Sequence, residues 1–191
     1  QHEGGVDFRS RWLKWFEVNG QLKGGTSINY RPGPDLNPFL GRGMQGKMGI
    51  TLRPGPHLRI EKTYIYSGLR TYNGSKLPGV AGGSVVFDNH IVRSNVKYQF
   101  NRHLSLRLIA DYNAVLANSS LLSAEEEKRI GLDTLLTYML NPSTALYFGY
   151  TDLYDNLKLD PSANPVLQRT LFPDFNTGRR VFVKLSYLFR F

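Results

Sequence analysis

The chain contains no cysteine, which excludes disulfides, thiolate nucleophiles and Cys-based zinc sites. It lacks any run approaching the roughly 18–20 apolar residues a transmembrane helix needs. Its first residues, Gln1-His2-Glu3-Gly4-Gly5, carry neither the basic nor the apolar region of a signal peptide. His2, His57, His90 and His103 are scattered without metal-ligand spacing, and no cofactor is expected. The Gly-rich pieces at 41–43 and 79–83 precede neither Lys-Ser/Thr nor a helix, so they read as loops rather than phosphate cradles. Acidic side chains are the minority, 15 against 24 Lys and Arg, giving a net charge of +9.

The 191 residues suffice for one domain, and 1–191 is read as one. With 41% hydrophobic, 20% charged and 13% aromatic residues, disorder is excluded. The most informative stretch is 179–191. Val181, Val183, Leu185, Tyr187, Phe189 and Phe191 share one parity, and Arg180, Lys184, Ser186 and Arg190 share the other. A strand sends alternate side chains to opposite faces. One face here is apolar and aromatic and the other basic and polar, the pattern of a strand between lipid and a polar lumen.

The same alternation recurs and predicts nine strands, near 8–19, 21–31, 45–53, 57–67, 90–100, 103–116, 128–140, 143–156 and 179–191. In 103–114, Leu104, Leu106, Leu108, Ala110, Tyr112 and Ala114 oppose Ser105, Arg107, Asp111 and Asn113, with Ile109 as the exception. The first strand mixes parities, because Leu13 and Trp15 compete with Trp12, Phe16 and Val18. Short connections are expected at Asn19-Gly20, 53–56, Asn101-Arg102 and 141–143, built from Asn, Gly and Pro. Longer ones are expected at 32–44, 68–89, 117–127 and 157–178. Short turns on one rim and long loops on the other suit an outer-membrane barrel. The expected fold class is therefore an all-β, antiparallel up-and-down transmembrane β-barrel. Nine is odd, whereas bacterial single-chain barrels have even strand numbers, so the chain is expected to be the C-terminal portion of a larger barrel. A miscounted first strand would leave eight.

The lumen parity collects Lys47, Arg53, Arg59, Arg93, Lys97, Arg107, Arg129, Arg180, Lys184 and Arg190, interspersed with Glu61, Asp111 and Asp133. Two readings fit: an anion-preferring conduit, or a salt-bridged ladder supporting a polar or plugged lumen. Tyr30, Tyr64, Tyr66, Tyr98, Tyr112, Tyr138, Tyr150 and Tyr187 fall on the apolar parity, as an interfacial girdle would. Aromatics and cations on opposite faces argue against a nucleic-acid platform, so no nucleic acid partner is expected. His103 and Ser105 are two apart on one face and would suit a lipid-modifying barrel enzyme, with imidazole as base; no acidic partner is placed to orient the ring. Asp152, Asp155, Asn156 and Asp160 offer oxygen ligands for calcium, but without EF-hand spacing a solvated strand top is the expectation.

Residues 98–107 (YQFNRHLSLR), 110–113 (ADYN), 141–152 (NPSTALYFGYTD) and the ending 181–191 (VFVKLSYLFRF) together resemble an uncharacterised family of large bacterial outer-membrane proteins. In that family a sugar-binding-module-like N-terminal domain precedes a C-terminal barrel. The resemblance covers about the last half of the chain, and no sugar-binding-like domain is present. It implies location and architecture, with no catalytic residues to carry over. The expectation is a non-enzymatic conduit, anchor or assembly platform in the bacterial outer membrane. Its partners would be outer-membrane lipid, the barrel-assembly machinery reading Tyr187, Phe189 and Phe191, and other outer-membrane subunits. A soluble lipocalin-like barrel is the further alternative.

Overall fold

In the computed structural model, residues 2–34, 36–74, 77–161 and 166–188 are described. They are all-β. Nine strands form one antiparallel meander: β1 (Glu3–Leu13), β2 (Phe16–Asn29), β3 (Phe39–Leu52), β4 (Leu58–Thr71), β5 (Val85–Gln99), β6 (Leu104–Ala117), β7 (Glu127–Asn141), β8 (Thr144–Asp155) and β11 (Phe175–Tyr187). Between β8 and β11 a small hairpin, β9 (Leu157–Asp160) and β10 (Val166–Arg169), forms within the long connection expected at 157–178. The sheet is not closed into a barrel. Among the described residues β1 pairs only with β2, and β11 only with β8.

The first hairpin corrects the sequence reading. The chain turns at Lys14-Trp15, and Asn19-Gly20, expected to be the turn, lies inside β2. The mixed parity of the predicted strand at 8–19 now has a cause: Leu13 and Phe16 belong to different strands and face each other, with the register slipping between Ser10 and Leu13. Pairing along the whole hairpin outweighs the local turn preference of Asn-Gly. Other strands begin or end up to six residues nearer the long loops than expected, as in β3, which starts at Phe39 instead of 45.

Directly opposed residues share a face, so the pairing assigns sides. One row runs Arg9, Asn19, Gly49, Thr63, Arg93, Asp111, Gly131, Leu153 and Gly178. The row one residue away runs Phe8, Gly20, Met48, Tyr64, Val92, Tyr112, Ile130, Tyr154 and Asn176. The first belongs to a polar face and the second to a mostly apolar one. Glycines let bulky partners lie flat across strands: the Phe8 ring occupies the space of a β-carbon at Gly20.

The buried apolar core is small and sits at the loop rim. Leu69, Val86 and Leu121 are buried there, with Leu36, Phe39, Val80, Phe87 and Leu122 packed around them. Leu69 and Phe87 are directly opposed on the polar face. The register then slips by one residue, and the extra residue, Val86, is wholly buried. The loops at 30–38 and 118–126 are stitched together by the Pro32–Leu122 bridge, a bond from the Ser123 amide to the Arg31 carbonyl (3.0 Å) and Asn29 Nδ2 donating to the Leu121 carbonyl (2.8 Å). They fold over one end of the polar face.

Candidate functional site: the polar face of the sheet

The register gathers Lys47, Arg59, Arg93, Lys97, Arg107, Arg129, Arg180 and Lys184, with Glu61, Asp111 and Asp133, on one face. Arg53 follows directly after β3, and Arg190 lies outside the described residues. Sequence parity assigned these residues to one side strand by strand. Their adjacency, which no parity argument gives, comes from the register.

Several of these charges are paired. Arg93 donates through Nε and Nη2 to both oxygens of Asp111, at 2.7 and 2.9 Å. Arg129 donates to Asp155 at 2.7 Å and pairs with Glu127 at 3.4 Å. Asp133 accepts from the Thr151 hydroxyl at 2.6 Å. Glu17, buried within the sheet, is ringed by Arg9 (3.1 Å), Arg11 (2.9 Å) and Arg53 (3.8 Å). These pairs link neighbouring strands across the polar face.

Nearer the short turns the balance changes. Arg59, Lys97 and Arg107 are directly opposed on three successive strands, β4, β5 and β6. Arg59 Nε donates to Glu61 at 2.9 Å, and Asn95 holds the other Glu61 oxygen at 2.9 Å. Lys97 and Arg107 have no acidic partner among the described residues. Below this rung Ser105 and Thr137 oppose each other, and a depression of about 520 Å³ lies over the group, bounded also by Arg53 and His57.

Several proposed constellations do not assemble. The His103 ring is engaged at both nitrogens: Arg102 Nε donates to Nε2 at 2.8 Å, and Nδ1 lies 2.8 Å from the Met139 carbonyl. That fixes the tautomer with hydrogen on Nδ1, and neither bond joins His103 to Ser105. Asp152 and Asp155 point to opposite faces of β8, since they lie three positions apart along the strand. Asp155 is held by Arg129 and by Thr177 (2.7 Å), Asn156 is fully buried among backbone groups, and Asp160 accepts from Gln168 at 3.1 Å. No group of three or more possible metal ligands occurs among the described residues.

The apolar face carries exposed Val6, Leu22, Met44, Met48, Val92, Phe148, Val181, Val183 and Leu185, with Tyr98, Tyr138 and Tyr187. Its polar groups are mostly partnered. Asp152 accepts from Tyr150 (2.9 Å), Tyr154 (3.0 Å), Asn176 (2.5 Å) and Arg179 (3.3 Å). Asp88 accepts from Tyr66 (2.6 Å) and pairs with Arg70 (3.7 Å), while Tyr64 bonds His90. Lys62, opposite Ile50 and Ser94, interrupts this face in mid-strand, and Arg42 and Lys128 lie on it nearer the loops. Tyr187 lies on the apolar face opposite Thr144; Phe189 and Phe191 are outside the described residues.

Comparison of the chain with protein-family models, with curated proteins and with solved structures finds no match in any of the three.

Proposed function

We propose that this sheet is a wall of an outer-membrane β-barrel, its apolar face against lipid and its polar face lining a watery lumen, with a non-enzymatic role as an anion-preferring conduit. The carrying observation is the imbalance between exposed and buried apolar side chains. Only Leu69, Val86, Ala114 and Leu121 are buried hydrophobics among the described residues, while one face of the nine strands exposes a mostly apolar and aromatic surface. A soluble sheet covers such a face with helices or a second sheet; lipid covers it without either. The strands, 11 to 15 residues in the main sheet, match the length of a tilted membrane-spanning strand plus flanks. The polar face suits water: the side-chain oxygens of Asn89, Asn95 and Asn113 there are buried without a protein partner, a condition that a hydrated lumen relieves.

Closure follows from strand direction. β1 and β11 both run from the long-loop rim to the short-turn rim. Joined directly they would form a parallel pair in an otherwise antiparallel sheet. Antiparallel closure takes an odd number of further strands, so the sheet is read as part of a larger barrel, in keeping with the family it resembles. Outer-membrane lipid is the main partner, and Tyr187, Phe189 and Phe191 are the residues offered to the barrel-assembly machinery. The full-length protein should fractionate with outer membranes, resist carbonate extraction and shift its electrophoretic mobility on heating. Recovery in the soluble fraction without detergent would sink this reading.

A further inference from the structure

Like charges placed directly across a sheet repel. Arg59, Lys97 and Arg107 form three such neighbours in one rung across β4, β5 and β6. Elsewhere on this face Arg93 is matched by Asp111 and Arg129 by Asp155, and Arg9, Arg11 and Arg53 gather on Glu17. Lys47, Arg180 and Lys184 lack a carboxylate partner among the described residues but are not directly opposed to another cation. In this rung the acid held close is Glu61, bonded to Arg59 and Asn95, and Arg53 beside it is already committed to Glu17. Three positive charges less the one on Glu61 leave two. A phosphate monoester carries about that charge, with opposite sign, at neutral pH.

The rung also has the right donors. Adjacent strands stand about 5 Å apart, so the three long side chains can converge on one tetrahedral group. Arg107 offers a planar fork suited to two phosphate oxygens, and Lys97 offers a movable point charge. Ser105 and Thr137, directly opposed one step towards the short turns, present hydroxyls with no hydrogen-bond partner among the described residues. The depression over them, about 520 Å³, has room for a phosphate with a small organic substituent.

We infer that Arg59, Lys97, Arg107, Ser105 and Thr137 form a binding site for phosphate-bearing solutes at the short-turn end of the polar face. The inference names the anion for the conduit proposed above and rests on that reading for its access route, though not for binding itself. The occupant offsets the mutual repulsion of the rung, where three cations on adjacent strands are directly opposed.

The test uses the full-length protein in detergent, titrated with inorganic phosphate and followed by the broadening of its 31P resonance. Saturable broadening is expected, weakened by about tenfold in Lys97→Gln and again in the Lys97→Gln/Arg107→Gln pair, since each lost charge-assisted contact is worth about a factor of ten. Lys47→Gln, on the same face but away from the rung, should bind as the parent does. Removing like-charge repulsion should leave the melting temperatures unchanged or raised, which separates lost binding from lost folding. Absence of saturable binding, or equal weakening by Lys47→Gln, overturns the site. Membrane extraction of the same samples tests the other reading separately. A soluble protein with Lys97-dependent binding would keep the site and remove the barrel, whereas an embedded protein that ignores phosphate would remove the site alone.

Discussion

Phe182 lies flat across Gly149: the two are directly opposed on β11 and β8, and a β-carbon at Gly149 would occupy the space of the ring. Phe8 and Gly20 repeat the arrangement on β1 and β2, the first and second strands of the same sheet. An aromatic ring covering a glycine replaces the side-chain contact that the glycine lacks and fixes the pairing register. Gly149→Ala should therefore cost about 1–3 kcal/mol, the usual range for forcing volume into an occupied space. Phe182→Ala should remove most of that penalty, so the two changes together will cost less than their sum. Urea titration of the heat-modifiable folded form measures it, and strict additivity would show that the ring does not rest on the glycine.

Asp111→Asn frees Arg93 from its two-bond pair. The side chain of Arg93 is 61% exposed, so the stability cost should stay under about 1 kcal/mol. If the polar face lines a conduit as proposed, the electrical effect should be larger, because one negative charge is lost from that face while the guanidinium remains. In planar bilayers under a salt gradient, the reversal potential should move towards stronger anion preference. An unchanged reversal potential in a conducting variant would place Asp111 away from the conduction path.

Asn156 anchors the loop that carries β9 and β10. It is fully buried, accepts from the Lys128 amide at 2.8 Å, and donates to the carbonyls of Thr170 (2.9 Å) and Glu126 (3.3 Å). Asn156→Ala leaves those groups without partners, each worth about 1–3 kcal/mol when buried. Asn156→Asp keeps an acceptor for Lys128 but loses the donor. Both variants should be cut by added protease between 156 and 174 faster than the parent, with the nine-stranded sheet intact by circular dichroism. Equal cleavage rates would mean that the loop is held by other contacts.

The strands from β3 to β8 were readable because alternation there is regular and each run is bounded by turn residues, as in Leu104 through Ala114. The face assignment of Arg93, Lys97, Arg107 and Lys184 was readable for the same reason. The first hairpin was not, because Asn19-Gly20 has the residues of a tight turn while its actual role depends on Phe8, a residue of the preceding strand, lying over Gly20. The rung of Arg59, Lys97 and Arg107 was equally hidden. Parity gives the side of a sheet, but which residues meet across it depends on the register, and a shift of two residues preserves every face while exchanging every partner. The loop core around Leu121 had no single periodic signal, since its residues come from three connections (Leu36, Val80, Leu121, Leu122) and from the loop ends of three strands (Phe39, Leu69, Val86, Phe87).

Val92 and Ile91 are neighbours in the middle of β5 that point to opposite faces, Val92 opposite Tyr64 and Tyr112, and Ile91 opposite Ile65 and Asn113. Both are apolar, so their hydrophobicity does not distinguish the two environments, and an arginine at each position does. On a lipid-facing surface near the membrane midplane an arginine costs about 2–4 kcal/mol, whereas a lumen position is set by water and neighbouring charge. Val92→Arg should thus sharply reduce the yield of heat-modifiable, membrane-embedded protein. Ile91→Arg should leave the yield near that of the parent, with Asp111 within two residues of its partner Asn113 to offset the added charge. If the sheet were instead covered by protein on its apolar face and solvated only at its rims, both variants would be damaged alike. The ratio of the two yields therefore reads which solvent each face meets.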